Sequence, residues 1–407
     1  MALKSVKCRI NGKNMAVDVI YSQKKELERL LTKKFIPRDN LSQGREALKH
    51  NLIKVVTGPR RAGKSFYCLE TLAGVPFGYL NFDEENVVKI RDHGKIMTAL
   101  EEVYPNEEYF LFDEIQNLPK WEFFANTMQR RGKNLIITGS NAKLLSGELA
   151  THLTGRYQEI AVYPFSFNEF MTARDGGQSL LMDYLQTGGY PEVVMNNLAP
   201  QDYFATLRDA TVLKDVVKRH KVKYVTELTN LIDLLSASYT KQISNDKLVK
   251  ASGIGSHHTV SRYLGYLFDT YMFMPLGKYN LKTSERIKSA KKIYFPDTGF
   301  AAANFSFSPD WGKLMENAVF LALVRRGFRP NTELFYYQTR NGKEVDFVIK
   351  KGLEINQLIQ VCYDLSDPKT HKRELSALEE AGEELKCQNK KTITMENLGE
   401  FLTPGKL

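Results

Sequence analysis

The sequence has 407 residues and a formal net charge of +10, too long for one hydrophobic core, so two to four domains are expected. With 43% hydrophobic and 26% charged residues, the composition excludes long disorder, and no run nears the roughly 18 apolar residues of a membrane helix. The N-terminus lacks the apolar core of a secretory signal, and Cys8, Cys68, Cys362 and Cys387 form neither a metal-ligand spacing nor a disulfide framework, so no membrane partner and a cytoplasmic location are expected.

The first elements surround Asn11-Gly12. Val6, Cys8 and Ile10 alternate before it, and Met15, Val17 and Val19 alternate after it. That pattern predicts a hairpin over residues 1–21. A helix follows, with Leu27, Leu30 and Leu31 at helical spacing. From about Leu52, short apolar strands are separated by helical stretches. Strands are expected at 52–56, 78–82, 109–112, 135–138 and 159–162. Continuous apolar strands alternating with helices mean an α/β fold with a parallel sheet covered on both faces. Such sheets bind ligands at the carboxyl ends of their strands. The expected domain spans 22–166. Residues 167–240 read as helical, 241–300 as a second unit, and 301–407 as a last α/β segment.

The first strand runs into Gly58-Pro59-Arg60-Arg61-Ala62-Gly63-Lys64-Ser65, which fits G-x-x-x-x-G-K-[ST] between a strand and a helix. The loop wraps a phosphate with backbone N–H groups, and its glycines permit shapes a side chain would block. The helix dipole favours the anion. Lys64 would sit between the β- and γ-phosphates of ATP, and Ser65 would supply a hydroxyl to Mg²⁺. Phe66, the next helical residue, completes the expected nucleotide-binding set. The apolar run 109–112 ends in Asp113-Glu114. Asp113 is expected to hold Mg²⁺ with Ser65, and Glu114 to polarise the attacking water. Adjacent acids in this role favour hydrolysis over transfer to another substrate.

The fourth strand ends at Ser140 and Asn141. Two readings compete there: a sensor of the γ-phosphate or its water, and a helix cap. Arg156 follows the next helical stretch. It is either a surface arginine or a finger reaching the site of a neighbouring subunit.

Residues 246–267 read as helix, glycine turn, helix, with Gly253 and Gly255 in the turn and Ser256 as a cap. His257, His258, Thr259 and Arg262 would be exposed on the second helix, as contacts to DNA or RNA. Two basic stretches flank the pair. One is 214–223; the other comprises Lys278, Lys282, Arg286, Lys288, Lys291 and Lys292. Charge runs are also common on solvated faces, and such helices also grip protein partners. Both alternatives stay open.

Taken in order, these elements resemble a prokaryotic group of AAA+-type P-loop ATPases whose C-terminal half is a DUF4143-type domain of unknown function. Besides the P-loop, the matching stretches are Phe112-Asp113-Glu114-Ile115-Gln116, Ile137-Thr138-Gly139-Ser140-Asn141 and Leu153-Thr154-Gly155-Arg156. Gly188-Gly189-Tyr190-Pro191-Glu192, Tyr294-Phe295-Pro296-Asp297-Thr298-Gly299 and Gly342-Lys343-Glu344-Val345-Asp346-Phe347 also match. The resemblance implies adenine over guanine and an AAA+ arrangement. It also implies a finger role for Arg156, hence a homo-oligomer, and a winged helix in the middle. Last, it implies a nuclease-like PD-(D/E)XK fold at the end. In that fold a helix Glu, a strand Asp and a Glu-x-Lys share a metal. Here Glu316 and Asp346 are present, but Gln360 and Cys362 stand where Glu and Lys belong. A degenerate site is therefore expected, with Cys362 a buried strand residue.

Overall fold

The computed structural model describes residues 12–140, 153, 155–305, 310–364 and 368–403. They fall into two compact units, one of residues 1–58 and 63–162, the other of 59–62 and 163–407. Among the described residues no helix is long and apolar enough to cross a membrane.

The first unit holds five parallel strands in the order β2-β3-β4-β1-β5: β1 (Ile53–Thr57), β2 (Phe77–Asn81), β3 (Tyr109–Asp113), β4 (Asn134–Gly139) and β5 (Tyr157–Ala161). All five expected strands are present. Alternate residues feed two cores. Ile53, Val55, Leu80, Phe110, Phe112 and Ile137 pack on one face, and Val56, Tyr79, Leu111, Ile136 and Ile160 on the other. Each buried Phe or Ile contributes about 2 kcal/mol, so both faces must be covered. That is why these strands read as unbroken apolar runs.

The hairpin expectation needs correction. Gly12–Leu31 is one helix, so the second predicted strand is helical, while residues 1–11 lie outside the described residues. Ala16, Ile20, Gln23 and Leu27 are all buried, at spacings of four, three and four. That stripe is the helix period, and Val17 and Val19 mimicked a strand over too short a window.

The second unit contains two further sheets. The smaller joins β6 (Gln242–Ile243), β7 (Met274–Gly277) and β8 (Lys291–Tyr294), antiparallel, with β8 in the middle. Helices Val225–Ala237, Asn245–Ser252 and His257–Asp269 precede β7 and share one core through Leu228, Leu231, Leu248, Val260, Leu264 and Leu267. The larger sheet has the order β12-β11-β10-β9, with β9 (Leu334–Gln338), β10 (Glu344–Lys351) and β11 (Glu354–Val361) antiparallel and β12 (Lys390–Ile393) parallel to β11. Helix Trp311–Arg325 precedes this meander and helix Pro368–Glu384 lies between β11 and β12.

Close backbone packing joins the two glycine-rich stretches of this unit. Asp297 accepts from Gly189 N at 2.7 Å and from Phe300 N at 3.0 Å. A Cβ on Gly188 would lie 2.0 Å from Asp297 Oδ1, one on Gly189 2.1 Å from Phe165 O, and one on Gly299 2.1 Å from Thr187 O. These glycines are spacers between crossing backbones.

Candidate nucleotide-binding site

The P-loop leaves the carboxyl end of β1. Gly58 has φ +145°, and a Cβ there would lie 1.9 Å from the Val162 carbonyl. Gly63 has φ +92° and precedes the helix Lys64–Thr71. Only glycine meets both demands, steric at Gly58 and conformational at Gly63. Lys64 is buried, with Nζ 3.2 Å from the Gly58 carbonyl, so the ammonium folds back over the loop. Ser65 lies in the first turn of the helix Lys64–Thr71. Phe66 is exposed at 38%, with its ring beside Phe35. By its contacts Pro59–Ala62 counts with the second unit, where Arg60 pairs with Asp215 at 3.3 Å and Arg61 with Glu192 at 3.0 Å.

The acidic half sits at the end of β3. Ser65 Oγ donates to Asp113 Oδ2 at 2.7 Å. Thr138 Oγ1, at the end of β4, donates to Asp113 Oδ1 and accepts from Glu114 N at 3.0 Å. Asp113 is buried. Burial first, then the charge of Glu114, pushes its carboxyl above the usual range, while Thr138, Ser65 and Lys64 pull it back. Glu114 adopts a left-handed conformation, φ 51° and ψ 42°, which turns its side chain out of the sheet. Its carboxylate accepts from Gln116 Nε2 and from Ser140 Oγ at 3.4 Å.

The donor set fits Mg²⁺. Neighbouring ligands of an octahedral Mg²⁺, bound at about 2.1 Å, lie about 3 Å apart. Ser65 Oγ and Asp113 Oδ2 have nearly that separation. No cluster of three or more His, Cys, Asp or Glu suited to a metal occurs among the described residues. A two-residue set matches an ion whose other ligands are phosphate and water.

Of the two sensor candidates, Ser140 is buried and touches Glu114, and Asn141 lies outside the described residues. Thr138 and Gln116 were not singled out by the sequence reading. The available signal was a lone hydroxyl ending the apolar run 135–137. Arg156 is exposed and precedes β5. In register, Tyr157 pairs with Ile53 and Ala161 with Thr57. Arg156 therefore lies at the amino edge of the sheet, about 16 Å of strand from the P-loop.

A family model described as an AAA domain matches residues 50–171, and models for two domains of unknown function, DUF8612 and DUF4143, match 178–310 and 311–400. An uncharacterized protein of Methanocaldococcus jannaschii, MJ1544, is 32% identical over 83% of this chain and 80% of its own length. An uncharacterized protein of Haemophilus influenzae is 31% identical, over 83% of this chain and 89% of its own. This chain belongs to the AAA-type P-loop ATPase family that carries a DUF4143 domain. Among solved structures, the Walker-type ATPase PABY2304 of Pyrococcus abyssi aligns with a TM-score of 0.44 at 15% identity, over 66% of this chain and 96% of that one.

In this AAA-type chain the other expected site residues separate by region. His257, His258 and Arg262 are exposed on the helix His257–Asp269, and Thr259 is half-buried. Ser256 caps that helix by accepting from Thr259 N at 3.4 Å, and Gly253 ends the preceding helix at φ 80°. The second basic stretch needs correction. Lys282, Lys288 and Lys291 are exposed, but Lys292 is wholly buried, because alternate residues of β8 face opposite sides. Its ammonium lies among Glu316, Glu344 and Asp346, a partner the sequence reading missed. Cys362 is buried as expected, and burial pushes its thiol up.

Proposed function

We propose that this chain is a cytoplasmic, Mg²⁺-dependent ATP hydrolase whose turnover is coupled to DNA or RNA. The observation that carries the ATPase reading is the linked set Ser65–Asp113–Thr138–Glu114 beside the P-loop. Lys64 and the loop hold the phosphates, with Pro59 to Phe66 lining them. Ser65 and Asp113 hold Mg²⁺, which neutralises phosphate charge when bound. Glu114 accepts the proton of the attacking water, oriented by Gln116 and Ser140. Arg156 belongs to a neighbour's site, so the working form is a homo-oligomer. Its position at the far edge of the sheet supports that reading.

Two features support the nucleic-acid half. The element order helix Val225–Ala237, β6, two helices, β7, β8, with β8 between β6 and β7, supports a winged-helix reading. Its last helix presents His257, His258 and Arg262, with Lys282, Lys288 and Lys291 on the β7–β8 connection and its edge. We assign 225–294 to this module, its first helix lying before the expected bounds of 241–300. The order helix, β9, β10, β11, helix, β12 supports a nuclease-like reading of 301–407, with a degenerate site.

The test is the steady-state ATPase rate with single-stranded and duplex DNA and RNA at low and moderate salt. Stimulation that fades as salt rises is expected, because phosphate contacts release counterions. Hydrolysis that no nucleic acid changes would replace the nucleic acid with a protein partner gripped by the same module.

A further inference from the structure

We propose that the ammonium of Lys292 is the resident cation of a carboxylate site formed by Glu316, Glu344 and Asp346, so that the C-terminal fold is closed on an internal cation and takes no metal ion there. This inference is independent of the ATPase reading.

The geometry is that of an ammonium enclosed by three carboxylates. Nζ lies 2.9 Å from Glu316, 2.6 Å from Glu344 and 2.9 Å from Asp346, and the Lys292 side chain has 0% exposure. Of the ammonium's three donors, one goes to Glu316 and one to Asp346, while Glu344 faces it as an ion pair. The carboxylates are aimed from behind. Tyr294 OH donates to Glu316 at 2.7 Å, Gln242 Nε2 to Glu344 at 2.5 Å, and Val361 N to Asp346 at 3.0 Å. Gln360, standing where a third metal carboxylate is expected, instead accepts from Asp346 N at 3.2 Å and donates to Glu374 at 2.6 Å. Each oxygen around Nζ is farther from it than the roughly 2.1 Å of a Mg²⁺ ligand. The cage has the size of an ammonium.

Three acids converging without a cation would be destabilising, most of all at Asp346 and Glu316, the more enclosed of the three. In a metal-dependent enzyme the ion would relieve that repulsion. Here the charge is tethered by the chain itself. Lys292 lies on β8, within the 178–310 match, whereas the three acids lie within the 311–400 match. The cluster thus pins two sequence modules together through one side chain. It also fills the position a catalytic metal would need.

The test uses the full chain, free of nucleotide and in EDTA, with thermal unfolding as readout. Lys292→Ala should lower Tm by about 10 °C, the cost of leaving buried Asp346 and half-buried Glu316 and Glu344 without their cation. Ethylammonium chloride should restore several degrees to Lys292→Ala, beyond an equal concentration of NaCl. It should not do so for Lys292→Met, whose chain fills the space. A Lys292→Ala Tm equal to wild type, or no gain over NaCl, would overturn the proposal. A second measurement does not depend on that variant folding. Mn²⁺ binding by electron paramagnetic resonance is compared between Asp113→Asn and Asp113→Asn/Asp346→Asn. Equal binding is expected, and a Mn²⁺ site that disappears with Asp346 refutes an internal cation.

Discussion

Thr138→Val separates the hydroxyl at the end of β4 from its shape. Valine keeps the branched volume, so the strand and its core are retained. What disappears is the donor to Asp113 Oδ1 and the acceptor of Glu114 N. A hydrogen bond to a charged carboxylate is worth about 1.5–3 kcal/mol, and a buried N–H left unpaired costs about 1–3 kcal/mol. If only the first is expressed in the transition state, kcat falls about 10- to 100-fold, at about 1.4 kcal/mol per decade. The P-loop backbone and Lys64 are untouched, so ATP affinity should stay within about threefold. A coupled ATPase assay at saturating Mg-ATP gives kcat, and a fluorescent nucleotide titration gives affinity. Thr138→Ser keeps the hydroxyl and should retain most of the activity. Wild-type kcat in Thr138→Val would refute the argument that this hydroxyl positions both acids. Equal losses in the Ser and Val variants would show that packing, and not hydrogen bonding, is at stake.

Further predictions follow from the same geometry. Glu114→Gln should bind ATP normally and lose at least about 100-fold in turnover, read by binding and single-turnover assays; wild-type turnover would remove Glu114 as the base. Arg156→Ala mixed with Lys64→Ala should recover activity through shared sites, because each protein carries the element the other lacks; strictly additive rates would argue for independent subunits. Gly189→Ala places a Cβ 2.1 Å from Phe165 O and should lower stability by about 4 kcal/mol or more, visible as a fall in Tm. Asp297 offers a pH test. Burial raises its carboxyl to about 6 against the backbone donors that lower it. The folded state therefore holds the proton between the ordinary carboxyl value and about 6, and its stabilising contribution is full below that window and lost as pH rises through it. Asp297→Asn should abolish this term, so the Tm difference between wild type and variant should be larger at pH 5 than at pH 7.5. A pH-independent difference would contradict the assignment.

Several features were legible because their cause is local. The five strands read as apolar runs because both faces of the sheet are covered. The P-loop read directly because phosphate wrapping needs Gly58 and Gly63 at fixed spacing before Lys64. The glycine turn and Ser256 cap were equally local. Residues 12–20 misled because a short stretch can satisfy two periods. The helix was fixed by where Ala16, Ile20, Gln23 and Leu27 are buried, a stripe longer than the window that suggested a strand.

What the sequence by itself determined is the chemistry that adjacent residues can state: an AAA-type P-loop, an acidic pair ending a buried strand, and a helix pair after it. Pairings across the chain needed the tertiary structure. Thr138 meets Asp113 only through the register of β4 against β3, 25 residues apart. Lys292 looked like one more surface charge in a basic stretch. It became an internal cation because alternate residues of β8 face opposite sides, and the inward side meets Asp346 54 residues later. Local sequence encodes period and turn; which face meets which partner is decided by how the strands assemble.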